Sequence, residues 1–158
     1  MITMNKNLSS SLVKYLLIIP IMSITLLAFA EVKKSIPSIF PIRKSGNEKI
    51  AMPFSKNKHG IDIVAKAGTS VFATCSGKVV QAELDEDWGN LVIIDHGDGY
   101  QTQYAHLSDI AIRVGQTVHQ GQIIGHVGKT GKAGNKPHLN YQVRKHGKMV
   151  DPEGYFTK

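Results

Sequence analysis

Cysteine is nearly absent from this chain. Cys75 is the only one among 158 residues, so no disulfide can form within the molecule. It lies in the strand-like stretch "VFATCSGKVV" and reads as a buried, inert thiol. After Ala30 no amphipathic helix of useful length can be drawn, no long internal repeat is visible, and no Lys/Arg block is long enough to serve as a nucleic-acid arm. Acidic residues are missing from the first thirty positions, which carry Lys6 and Lys14. Also missing is an apolar run of bilayer-spanning length, which takes about twenty residues. The run from Tyr15 to Ala30 is shorter and ends in Ala28-Phe29-Ala30, the small-x-small pattern that precedes signal cleavage. Residues 1–30 are therefore read as a signal peptide, and the protein as exported to the periplasm or cell envelope. A membrane contact is expected only if that segment stays uncleaved.

The chain carries 19 Lys+Arg against 12 Asp+Glu, a formal +7. Setting aside the first thirty residues leaves 17 against 12, or +5. That balance favours anionic partners but is also what solvated surface lysines produce. Residues 31–48 contain Pro, Lys and Ser without a period and read as a linker or irregular lead-in. From Lys49 to Lys158 short apolar runs such as "GIDIVA", "KVVQAE", "NLVIIDH" and "LNYQVR" alternate with turn signals such as "KAGT", "HGDG" and "GKTGKAGNKP". Strands this short, with Gly-rich turns every 8–12 residues, predict an all-β domain, a small antiparallel sheet or barrel.

The stretch "KPHLNYQVRKHGK" alternates cleanly. As a strand it turns Leu139, Tyr141 and Val143 to one side and His138, Asn140 and Gln142 to the other. Three histidines stand out: His59 in "KHGIDI", His106 in "YQTQYAHLS" and His138. His96, His119, His126 and His146 lie in or beside turn-like stretches and read as surface or locally hydrogen-bonded. With Asp62, the first three form the kind of set, drawn from separate strands, from which catalytic zinc sites are built.

The segment from Met52 to Phe156 resembles the lysostaphin-type, or LytM-like, zinc peptidases that cut peptidoglycan cross-bridges. The resemblance rests on "GIDI", "GNLVIIDHGDGYQTQYAHLS", "VGQTVHQGQIIGHVGKTG", and "PHL" followed by "VDP". It implies a small antiparallel β fold with a groove between loops. It implies Asp62 as a metal ligand and His106 and His138 as the two catalytic histidines. The other two ligand positions of the family pattern, His-x-x-x-Asp and His-x-His, fall on Lys58 and Asn140. Gln142 stands where the family often has Glu. Neighbouring His59 is out of register, because positions three apart in extended chain face opposite sides. A neutral amide is a weak zinc ligand, and an ammonium has no lone pair to give.

The expectations are these. Lys58, His59, Asn140 and Gln142 line the groove with Asp62, His106 and His138; Lys58 pairs with Asp62 where a metal would sit. No intact metal site and no cofactor is expected. The resemblance implies a non-catalytic envelope protein that binds peptidoglycan, or a cell-wall amidase or its regulator, and not nucleic acid. The alternative is a zinc endopeptidase with an altered ligand set.

Overall fold

The computed structural model describes residues 35–43, 46, 48–55 and 60–157. The signal segment, Lys58 and His59 lie outside the described residues. Ten strands run through them: β1 Lys49–Met52, β2 Ile61–Val64, β3 Ser70–Phe72, β4 Gly77–Asp85, β5 Gly89–Gly97, β6 Tyr100–Ile110, β7 Thr117–Val118, β8 Ile123–Val127, β9 His138–Lys145 and β10 Lys148–Val150, followed by one 3-10 turn, Pro152–Tyr155. Every pairing is antiparallel. The main path is β1-β2-β9-β6-β5-β4-β7, with β10 on β9, and β8 joining β3 to β6. The sheet is strongly branched but stays open, so of the two expected forms it takes the sheet rather than the closed barrel. Among the described residues no helix is long and apolar enough to cross a membrane.

Period-two patterning places the core. Ile61 and Ile63 of β2, and Leu139, Tyr141 and Val143 of β9, are all fully buried and share the core with Val92, Ile94, Tyr104, Leu107 and Val127. The described part of residues 31–48 has little regular structure but packs against the domain. Ile42 is 2% exposed and bridges to Val71. Ser38 exchanges backbone bonds with Thr74 and Thr157, and the Phe40 ring packs edge-on against Phe156 at 5.0 Å. Burial of such side chains repays the ordering of a segment with little regular structure.

A buried polar chain runs through this core. His96 donates from Nδ1 to the Ser76 carbonyl (3.0 Å) and meets the Thr102 hydroxyl through Nε2 (2.7 Å). Thr102 reaches the Tyr104 hydroxyl (3.1 Å), which meets Thr74 (2.9 Å), which meets Tyr141 (2.9 Å). The sequence reading of His96 as locally hydrogen-bonded holds, but it is a core residue, 7% exposed. Burial pushes its imidazole below the ordinary value, against the upward pull of the Ser76 carbonyl and of Asp95. The native state therefore binds this proton less readily than the unfolded chain. Stability is retained above the unfolded pKa of about 6.5 and falls as pH drops below it. Denaturant midpoints measured between pH 7.5 and 5.5 are expected to decline on acidification, and His96→Asn should flatten part of that decline. A full-sized decline in the variant would assign it elsewhere.

Candidate functional site

Three neighbouring strands set the floor of the site. In the register of β2, β9 and β6, Asp62 lies opposite Asn140, and Asn140 opposite Ala105. One step along, Gln142 lies opposite Gln103; one step the other way, His138 lies opposite Val64. All of these face away from the core side chains Ile61, Tyr141 and Tyr104.

Asn140 Nδ2 donates to Asp62 Oδ1 (2.7 Å), and Gln142 Nε2 donates to Asn140 Oδ1 (2.8 Å). The two amides thus form a relay that ends on the carboxylate. Gln142 was expected to line the groove; it is fully buried instead. It lies over Gly60, where a Cβ would sit 2.6 Å from Gln142 Cγ and 2.3 Å from the Tyr141 carbonyl oxygen. Gln142 is therefore a support beneath Asn140 rather than a contact surface. Its Oε1 and the Nε2 of Gln103 are buried without hydrogen-bond partners among the described residues.

The two histidines are held by backbone carbonyls. His138 donates from Nδ1 to Lys136 O (2.9 Å), and its Nε2 stands 3.9 Å from Asp62 Oδ1. His106 donates from Nδ1 to Thr130 O (3.0 Å). A carbonyl only accepts, so the neutral form of each ring carries its hydrogen on Nδ1 and a lone pair on Nε2. The rings are 4.9 Å apart between centroids. His106 has φ 63°, a left-handed conformation that is uncommon outside glycine. It falls where β6 leaves β9, after Ala105, and joins β8 from Leu107; its own N–H goes to the Trp88 carbonyl (2.8 Å). This strand switch aims the imidazole at His138. Burial lowers the His106 pKa, opposed by the Thr130 carbonyl; nearby His138 lowers it further and Asp62 raises it.

Thr130 and Trp88 escaped the sequence reading. Thr130 accepts from Asn90 N (2.9 Å) and donates to Leu107 O (2.6 Å), so one residue locks β5, β6 and the His106 ring. Trp88 stacks at a tilt on His106 at 5.9 Å. The loops carrying them interlock so closely that a Cβ at Gly131 would fall 2.2 Å from Gly89 N. The paired glycines of "WGN" and "KTGK" were the available signal. Two cavities of about 210 Å³ each open onto the histidines. One is lined by Ala51, Met52, Val64, Asp62 and His138, with Lys136 among its further residues. The other is lined by Trp88, His106 and the Asp87–Lys132 ion pair.

The structure brings together Asp62, His106, His138 and Asn140. Lys58 and His59 lie outside the described residues, so their expected positions are not part of this geometry. The zinc implied by the resemblance does not fit the described donors. Asn140 Nδ2, which has no lone pair for a metal, donates to Asp62, and its oxygen accepts from Gln142. Among the described residues no group of three or more His, Cys, Asp or Glu is placed to hold a metal.

The family model described as "Peptidase family M23" matches residues 56–152. The chain belongs to this family. Its M23 relatives include Peptidoglycan DD-endopeptidase ShyA of Vibrio cholerae, 40% identical over 93 residues, which are 59% of this chain and 21% of that protein. They also include Murein hydrolase activator NlpD of Escherichia coli, 38% identical over 100 residues, 63% of this chain and 26% of the relative. The chain thus spans about a quarter or less of these relatives' lengths. Among solved structures, a zinc-containing peptidase from Vibrio cholerae superposes with a TM-score of 0.68 at 29% identity, covering 73% of this chain and 39% of that one. The M23 domain of this chain is therefore similar in sequence both to a protein named as an endopeptidase and to one named as an activator.

Proposed function

We propose that this M23 domain is exported to the cell envelope and acts without metal, binding peptidoglycan in its groove and regulating a cell-wall hydrolase in the manner of an amidase activator. The observation that carries this reading is the Asn140 side chain. It stands where the family pattern places a metal-binding imidazole, and it donates to Asp62 and accepts from Gln142. Without a metal there is no Lewis acid to polarise the peptide carbonyl and nothing to lower the pKa of a water. The residues left in the groove are suited to holding a ligand by hydrogen bonds and shape. The similarity to Murein hydrolase activator NlpD supports the regulatory side of the reading.

The second reading is a zinc endopeptidase with an altered ligand set. It is favoured by His106 and His138, which keep their Nδ1 atoms on backbone carbonyls and their Nε2 atoms available, as working acid–base groups require. Purified sacculi separate the two. The protein is expected to co-sediment with sacculi equally well with and without EDTA, to release no soluble fragments alone, and to increase release when a wall amidase is added. EDTA-sensitive release by the protein alone would establish the second reading instead.

A further inference from the structure

The groove beside Asp62 has a surplus of acceptors. Among the described residues Asp62 accepts one hydrogen bond, from Asn140. His138 Nε2 lies 3.9 Å from the same carboxylate, with its hydrogen committed on the far side of the ring to Lys136 O. His106, one ring away, has its hydrogen committed to Thr130 O. Among the described residues no donor reaches Nε2 of either histidine. The Asp62 side chain is 19% exposed, and a carboxylate taken that far out of water is costly without a cation. The neutral amide of Asn140 supplies a hydrogen bond but no charge.

The adjoining cavity is aliphatic along its walls, at Ala51, Met52 and Val64, and ends on Asp62 and His138. Apolar walls leading to a carboxylate and imidazole lone pairs match an alkyl chain tipped with –NH₃⁺, which is a compact cation with three donors and no lone pair. Lys136, also lining this cavity, opposes a purely cationic ligand and favours one that carries a carboxylate beside the amine. We propose that the cavity binds the primary ammonium of a diamino acid side chain, as in an un-cross-linked peptidoglycan stem peptide, with Asp62 as counter-ion and His138 as a further acceptor. The cation position of the family is thus turned from metal to ammonium. This inference rests on the groove-binding reading above and names the part of the wall that the groove takes.

The test uses the full chain with ¹⁵N-labelled histidine and three probes: a tripeptide stem with its free side-chain amine, the same stem with that amine acetylated, and Nα-acetyl-lysine amide. The expected result is that the free-amine stem shifts the His138 side-chain resonances, that the lysine probe, which lacks a carboxylate to meet Lys136, shifts them at higher concentration, that acetylation weakens stem binding at least tenfold, and that Asp62→Asn removes the difference between the two stems. Binding of the lysine probe without the free-amine stem would uphold the ammonium site and defeat the wall-binding reading. Equal affinity for the two stems would overturn the inference and leave the wall-binding reading standing. No histidine shift with either amine overturns it as well. So does amine binding seen only in Lys58→Ala, because the chain's own lysine would then be the resident cation. The free-amine comparison on the unmodified chain does not depend on any variant folding.

Discussion

Lys58→His combined with Asn140→His is expected to give a chain that binds zinc at one per molecule, at least about a hundredfold more tightly than the parent or either single variant. The double change restores His-x-x-x-Asp and His-x-His around Asp62. Three protein ligands with an open fourth position suit Zn²⁺, whereas two seldom hold it. Position 140 is well placed, because its side chain already lies within 2.7 Å of the Asp62 carboxylate. The supporting shell is less ready. Gln142 Nε2 would lose its acceptor at Asn140, and a buried donor left unpaired costs about 1–3 kcal/mol. Adding Gln142→Glu gives the new imidazole a carboxylate to donate to, the arrangement that fixes the orientation of metal-binding histidines. The triple variant is therefore expected to bind zinc more tightly than the double, by about tenfold or more. Calorimetric zinc titration of the parent, both singles, the double and the triple measures the series. A folded triple variant that binds no better than the parent would place the loss in the backbone rather than in these side chains.

Gly60→Ala should be among the most damaging single substitutions in the domain, costing about 3 kcal/mol or more. Gly60 has φ +86°, and a Cβ there would meet Tyr141 O at 2.3 Å and Gln142 Cγ at 2.6 Å. The backbone oxygen cannot yield without breaking the β2–β9 ladder, and Gln142 cannot yield without disturbing the relay to Asp62. Gly115 is the matched control, with φ +84° and nothing within 4 Å of its would-be Cβ. There the cost is conformational alone, about 1 kcal/mol. Urea midpoints of Gly60→Ala and Gly115→Ala separate the two effects. Equal losses would mean that the close approach of β2 to β9 has no energetic consequence.

What was legible in the sequence follows from local periodicity. The alternation of β9 reads directly, because one face of that strand is core: Leu139, Tyr141 and Val143 are all fully buried. The meeting of Asp62, Asn140, His106 and His138 was reached through resemblance, since strand register is not written in any one segment. Other features depend on partners distant in the chain. Phe40 and Ile42 lie in a stretch with no period and are captured by Phe156 and Val71. Gln142 shares its strand face with His138 but is covered, and no pattern within β9 announces that cover. The left-handed turn at His106 arises because β6 changes partner there. Thr130 acquires its role only when two glycine-tight loops interlock. His96 sits in a turn-rich stretch but is drawn into the core by Thr102 and Ser76.

Zinc content is the most direct test of the central claim, that an amide relay occupies the place of the family's metal. The tag-free protein is equilibrated with excess zinc, exchanged into metal-free buffer and assayed for metal and protein together. With Asn140 bound to Asp62 and Gln142, the expected result is far less than one zinc per chain. One tightly held zinc per chain would contradict the account.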